Sequence, residues 1–164
     1  MNAPTNIYSH RLEKILEHEF LAGIGKCLWN RGIHDFEVLH SEIDDNGYDL
    51  IIEACGKVRH IQLKSKITGG RRAQINVHNK LLDKPSACVI IMEYDPATLA
   101  VKSYRFFGSE AGVKIPDIGE RVVKHSRANA KGLKAIRPNL RNVPQSWFEE
   151  ISNSEELCCR LFDI

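Results

Sequence analysis

Strict alternation marks the segment VRHIQLKS (58–65), where His60, Gln62 and Lys64 share one side of a strand and Ile61 and Leu63 share the other. Upstream, Asp49 opens a second strand-like run, YDLIIEA, and Glu13 and Glu17 stand one turn apart in a stretch of helical periodicity. Carboxylates, an amide and a lysine gathered at one place make a metal-and-lysine active site: oxygen atoms for a hard cation and a charged group for the reacting atoms. Spread over a solvent-washed sheet, the same residues would give only a polar surface and an Asp49–Lys64 salt bridge, worth little in water. The elements that carry them arbitrate.

Residues 10–31 are predicted to form a helix, with Leu12, Ile15, Leu16, Phe20, Ile24, Cys27 and Leu28 on one stripe, Ser9 as N-cap and Gly32 as the stop. At 100° per residue Glu13 falls between Phe20 and Ile24, and Glu17 between Ile24 and Leu28. A carboxylate in an apolar arc needs a partner or an edge to snorkel from. Strands are predicted at 36–42, 48–54 and 58–65, with a DDNG turn at 44–47. Gly56-Lys57 is expected to form a type II′ hairpin loop, pairing Glu53 with His60, Ile51 with Gln62 and Asp49 with Lys64. That register puts Asp49, Gln62 and Lys64 on one face, and Leu50, Ile52, Ile61 and Leu63 on the other.

Beyond this hairpin a loose stretch (66–77) leads to a short helix around HNKLLDK, then to a fully buried strand, ACVIIMEY (87–94). One more strand is expected at 99–108, a mostly irregular basic segment follows, and SEELCCRLF (154–162) reads as a terminal helix capped by Ser152 or Ser154. The expected fold class is α/β, a mixed central sheet flanked by helices. One domain spans residues 1–164, with a core at about 10–108, a basic region at about 119–148 and the last helix at about 153–162.

This order resembles the PD-(D/E)XK nuclease superfamily, whose restriction-endonuclease-like core runs helix, three strands, helix, strand. The helix carboxylate would be Glu17 or Glu13, the strand-opening acid Asp49, and the (D/E)xK position reads QLK, Gln62 to Lys64. Gln62 replaces the usual acid, as in some branches of the superfamily, and GYD stands where the name-giving proline would precede Asp49. The resemblance implies a metal-dependent hydrolase of phosphodiester bonds with Mg²⁺ or Mn²⁺ as cofactor. Asp49, Gln62 and Glu17 would hold the metal with the Leu63 carbonyl, and Lys64 would orient water or stabilise charge. Glu42 and Asp44 lie just upstream, with directions the sequence leaves open. The alternative is a nuclease-like module without catalysis that binds nucleic acid or a protein.

Charge is unevenly distributed. The chain has 164 residues and a net charge of +2, yet residues 121–148 hold seven basic residues and no acid, leaving 16 basic against 21 acidic elsewhere. A basic block on an acidic body suggests a polyanion. Lys66, Arg71 and Arg72 after the site, and Lys124, Arg127, Lys131 and Lys134 in the block, are the expected phosphate contacts, with DNA ahead of RNA. No helix-turn-helix or zinc-finger pattern is present, so specificity is weak or borrowed from a protein partner or second copy of the chain. His60, His78 and His125 are uncommitted polar residues; Trp147 and Phe148 are base-stacking candidates or core caps. The five cysteines lack ligand spacing, with Cys55 and Cys88 expected as buried thiols. Without a signal-peptide pattern or an apolar run near the roughly 20 residues of a membrane span, the sequence predicts a soluble, cytoplasmic protein with no membrane partner.

Overall fold

Every position of ACVIIMEY is buried, as a run of β-branched and apolar residues requires when both sheet faces are covered. In a computed structural model, which describes residues 8–42, 46–71, 73–125 and 132–164, this strand lies inside a six-stranded mixed sheet. The elements are α1 (Ser9–Asn30), β1 (Phe36–His40), β2 (Leu50–Ala54), β3 (Lys57–Ile67), β4 (Gln74–His78), a 3-10 helix (Asn79–Asp83), β5 (Ala87–Tyr94) and β6 (Val101–Gly108). There follow β7 (Val122–Lys124), β8 (Ile136–Pro144), a 3-10 turn (Gln145–Trp147), β9 (Glu149–Ile151) and α2 (Ser154–Phe162). The large sheet has the order β1-β2-β3-β5-β6-β9, with β3 and β5 parallel, and the remaining strands form a smaller sheet, β4-β8-β7. The described helices are not long and apolar enough to cross a membrane.

Two apolar layers fix the stacking. Leu16, Phe20, Ile24 and Leu28 of α1 and Leu157, Leu161 and Phe162 of α2 bury against Leu50, Ile52, Ile61, Ile90 and Phe106 on one face. On the other face Val89, Ile91 and Phe107 meet Ile75, Val77 and Val143 of the small sheet. The chain is thus an α/β protein with both helices on one side. Fully buried Arg59 in β3 donates to the carbonyls of Leu161 (2.6 Å), Ser109 (2.8 Å) and Arg160 (3.3 Å). It satisfies the open carbonyl end of α2 in place of water, and burial lowers its pKa from the ordinary guanidinium value. Lys57, two residues earlier, donates to the Phe162 carbonyl at 2.6 Å and to Asp163 Oδ2 at 2.9 Å.

Several sequence expectations are corrected. The hairpin turn is Cys55-Gly56, not Gly56-Lys57: both residues have positive φ (53° and 69°), the type I′ form that matches strand twist. The register therefore shifts by two residues, pairing Glu53 with Val58 and Ile51 with His60. A shift of two keeps every side chain on its face. Cys55, at the turn, is exposed rather than buried. Ser9 is the first helical residue, and Tyr8 holds the N-cap place without a side-chain bond. Ile15 leaves the apolar stripe and is 49% exposed. The supposed loose stretch contains β4, the helix around Leu81 is a single 3-10 segment, and the supposedly irregular basic segment contains β7 and β8. Asn153, not Ser152 or Ser154, caps α2 by accepting from the Glu156 N–H at 2.9 Å.

Candidate active site

The site grows from a difference in strand length. β2 begins at Leu50 while its partner β3 continues to Ile67, so β3 runs on past its neighbour and leaves a notch. Asp49 sits at the lip. Its N–H donates to the Ile61 carbonyl at 2.9 Å, continuing the ladder one step, and its Oδ2 accepts from the Leu63 N–H at 2.6 Å. In an antiparallel strand the N–H and C=O of one residue point the same way. The Leu63 carbonyl consequently opens into the notch beside the carboxylate that its own N–H anchors. The approach to Asp49 depends on Gly47, whose φ is +79° and where a Cβ would stand 2.7 Å from His78 Cβ. Only glycine lets this loop lie against β4 in that conformation.

Around the notch is an open cleft of about 730 Å³ whose lining includes Glu13, Lys14, Glu17, Asp49, Lys64, Gln74 and Asn76, together with His10, Ser41, Tyr48 and Ser65. Asp49 and Lys64 lie on the same sheet face, and both reach the cleft with the helix carboxylates. Glu13 is exposed, whereas Glu17 retains 7% exposure. The buried carboxylate is neutralised locally: Lys14 Nζ lies 3.0 Å from both of its oxygens, and His40 Nε2 lies 3.0 Å from Oε1. Gln62 also shares the face of Asp49 and Lys64, but is 5% exposed and turned into the seam between sheets, where its Oε1 accepts from the His78 N–H at 3.3 Å. It lies beneath the cleft rather than in its lining.

The charged oxygen and carbonyl at the notch are hard donors. Among the described residues no group of three or more His, Cys, Asp and Glu side chains comes close enough to hold a metal. The described residues thus assemble neither a nitrogen–sulfur cage nor a cluster of three carboxylates there. Asp49 with the Leu63 carbonyl offers two hard oxygens, which suits Mg²⁺, a cation that keeps several waters and uses one or two carboxylates. Asp44 lies outside the described residues, and Glu42 is exposed on the loop after β1.

The basic candidates separate. Lys66 is nearly enclosed, its Nζ 3.0 Å from Glu93 Oε1, which also accepts from Arg105 Nε at 2.8 Å. Burial alone would raise the Glu93 pKa, but the hydrogen bonds from Arg105 and Lys66 outweigh it and hold the carboxyl below its usual range. Lys66 therefore serves a structural ion cluster. Arg71 is exposed, as are Lys124 and Lys134 on the β7–β8 hairpin, while Arg72, Arg127 and Lys131 lie outside the described residues. His60 is anchored by its Nδ1 to the Pro85 carbonyl at 2.8 Å and by the Tyr48 ring, with burial lowering its pKa. Phe148 is core, and Trp147 is half exposed against Phe107.

Sequence reasoning did not include β4 in the site. The signal was the alternation of Ile75 and Val77 with Gln74, Asn76 and His78, whose polar members face away from the apolar seam. Lys14 and His40, which hold Glu17, carried no such pattern. No protein-family model and no curated protein matches this chain.

Proposed function

We propose that the chain is a divalent-metal-dependent, nuclease-like hydrolase of phosphodiester bonds, with DNA ahead of RNA as substrate. The observation that carries the reading is the convergence of Asp49 and Lys64, from neighbouring strands, on one cleft that also receives α1 carboxylates. The order α1, β1, β2, β3, β5 supports a restriction-endonuclease-like core, although β4 and a 3-10 segment occupy the place of its middle helix.

In this reading Asp49 and the Leu63 carbonyl would hold Mg²⁺ or Mn²⁺, with Gln62 and Glu17 behind them, and a bound cation would supply charge neutralisation at the phosphate and a more acidic water. Leu63 N–H fixes one Asp49 oxygen, so the carboxylate does not have to be ordered at the moment of binding. Lys64, half-buried at the cleft, orients the attacking water or counters charge on the phosphate. Exposed Lys124 and Lys134 hold backbone phosphates away from the scissile bond.

The test is cleavage of a panel of single- and double-stranded DNA and RNA in Mg²⁺ and Mn²⁺. Wild-type protein should cleave at least one; Asp49→Ala should abolish this while leaving nucleic-acid affinity nearly intact. A second reading, a binding module without catalysis, is favoured by the Gln62 amide being tied to β4 and by the local neutralisation of Glu17. Binding without cleavage in either metal would select it.

A further inference from the structure

β4 is the outer strand of the small sheet, and its unpaired edge faces the catalytic cleft. Strand alternation identifies the groups on that edge. The His78 N–H leaves the ladder to reach Gln62 Oε1. Asn142, the register partner of Asn76, sends its own N–H away from β4 to the Arg121 carbonyl at 2.7 Å. Ala73 turns its carbonyl the other way, accepting from Gln145 N–H at 2.9 Å. Gln74 and Asn76 consequently point both N–H and C=O away from β8, into the cleft. They present a donor and an acceptor at each of two positions roughly 7 Å apart, two strand residues of about 3.4 Å each. Neither residue makes a side-chain hydrogen bond among the described residues, and both line the same cleft.

We infer that this edge binds a single nucleic-acid strand and makes an unpaired strand the preferred substrate of the proposed nuclease, an inference that rests on that reading. Three observations select this occupant. The cleft, about 730 Å³, falls in the range that fits a ligand of drug size, room for a nucleotide or two and not for a duplex. Side-chain amides such as those of Gln74 and Asn76 pair with the Watson–Crick edges of bases, which only an unpaired strand exposes. β7, β8 and the connection between them carry exposed Lys124, Arg137 and Lys134, with no acidic residue between 121 and 148, so a polyanion rather than a peptide is drawn across the sheet. Backbone N–H groups on β4 then donate to phosphate or base carbonyl oxygens as the strand turns toward Lys64.

The test is fluorescence anisotropy of a short labelled oligodeoxynucleotide, alone and annealed to its complement, with Ca²⁺ in place of Mg²⁺. The unpaired strand should bind the full chain about tenfold or more tightly than the duplex, the scale of one or two hydrogen bonds to a charged group. Asn76→Pro deletes an N–H that the β4–β8 ladder does not use, a place where an edge strand tolerates proline. It should remove that preference and leave duplex affinity unchanged. If circular dichroism shows that this variant does not fold, the Gln74→Ala/Asn76→Ala pair carries the same expectation. Equal affinity for the two forms overturns the inference, as does an unchanged preference in folded Asn76→Pro. Tighter binding of a labelled Thr-Val repeat peptide than of the oligonucleotide overturns it too, assigning the edge to strand addition. Duplex cleavage without single-strand preference sinks this inference alone, whereas absence of cleavage of any form in Mg²⁺ and Mn²⁺ sinks the reading beneath it.

Discussion

Replacing Gln62 by glutamate puts a second negative charge under Asp49, in a position with 5% exposure. Without metal the buried carboxylate should cost roughly 1–3 kcal/mol, read as a lower melting temperature. Added Mg²⁺ should recover that loss in the variant and raise wild type less. Equal shifts in both proteins would detach Gln62 from the metal site. Lys64→Ala should slow cleavage by about a hundredfold or more, the scale of one positioned acid–base or charge-stabilising group, with substrate affinity less affected; a rate within severalfold of wild type would remove Lys64 from the chemistry. Glu93 gives a pH test of its own. Its carboxyl is held below the ordinary range, so the unfolded chain takes up the proton first as pH falls. Its contribution is full above the ordinary carboxylate pKa and is lost as pH drops through the folded one. Glu93→Gln should flatten the acid limb of stability against pH, measured by urea unfolding; an unchanged limb would assign acid lability to other carboxylates.

At the scale of elements, the central strand, α1 and α2 were legible because apolar period and length leave one solution for each. The faces of the β2–β3 hairpin were also legible, though its turn was not. Glycine at position 56 points to a turn but does not say which central residue it is, and Cys55 adopts positive φ, uncommon for a residue with a Cβ. Asp49 and Lys64 kept their common face because the error was an even number of residues. β4 was missed for a different reason: its two apolar residues follow a glycine and arginine stretch, too short a run to outweigh it. The local partners of Glu17 depend on where β1 ends against α1, which no local pattern encodes. Caps are testable singly. Asn153→Ala removes the acceptor of the Glu156 N–H and should cost about 1 kcal/mol. Arg59→Leu strips three carbonyls of their donor in a dry place and should cost on the order of 3 kcal/mol. Chemical denaturation of both variants checks the order: a milder effect at Arg59 than at Asn153 would mean that water replaces the guanidinium.

Across the whole molecule the charge is layered. Glu13, Glu17 and Asp49 line the cleft with Lys14 and Lys64, while the described basic residues of the block sit on or beside β7 and β8 of the small sheet, β7 lying two strand spacings (roughly 10 Å) behind β4. Nucleic-acid affinity should therefore fall steeply with salt, and Lys124→Ala/Lys134→Ala/Arg137→Ala should weaken binding to all sequences alike while reducing the salt slope by about two to three. Unchanged affinity in that triple variant would give the hairpin another task.

Arg59 also ties the ribosome's timetable to the finished protein. Its strand emerges long before the residues that neutralise it, because two of the three carbonyls around its guanidinium belong to Arg160 and Leu161. Until α2 docks, that charge keeps its water and the apolar stripe of α1 stays partly uncovered. A nascent chain stalled before Ser154, or a nonsense product ending there, would carry a hydrated arginine in the middle of its own sheet. The last helix is a closing wedge, and proteases should distinguish the unwedged chain from the complete one.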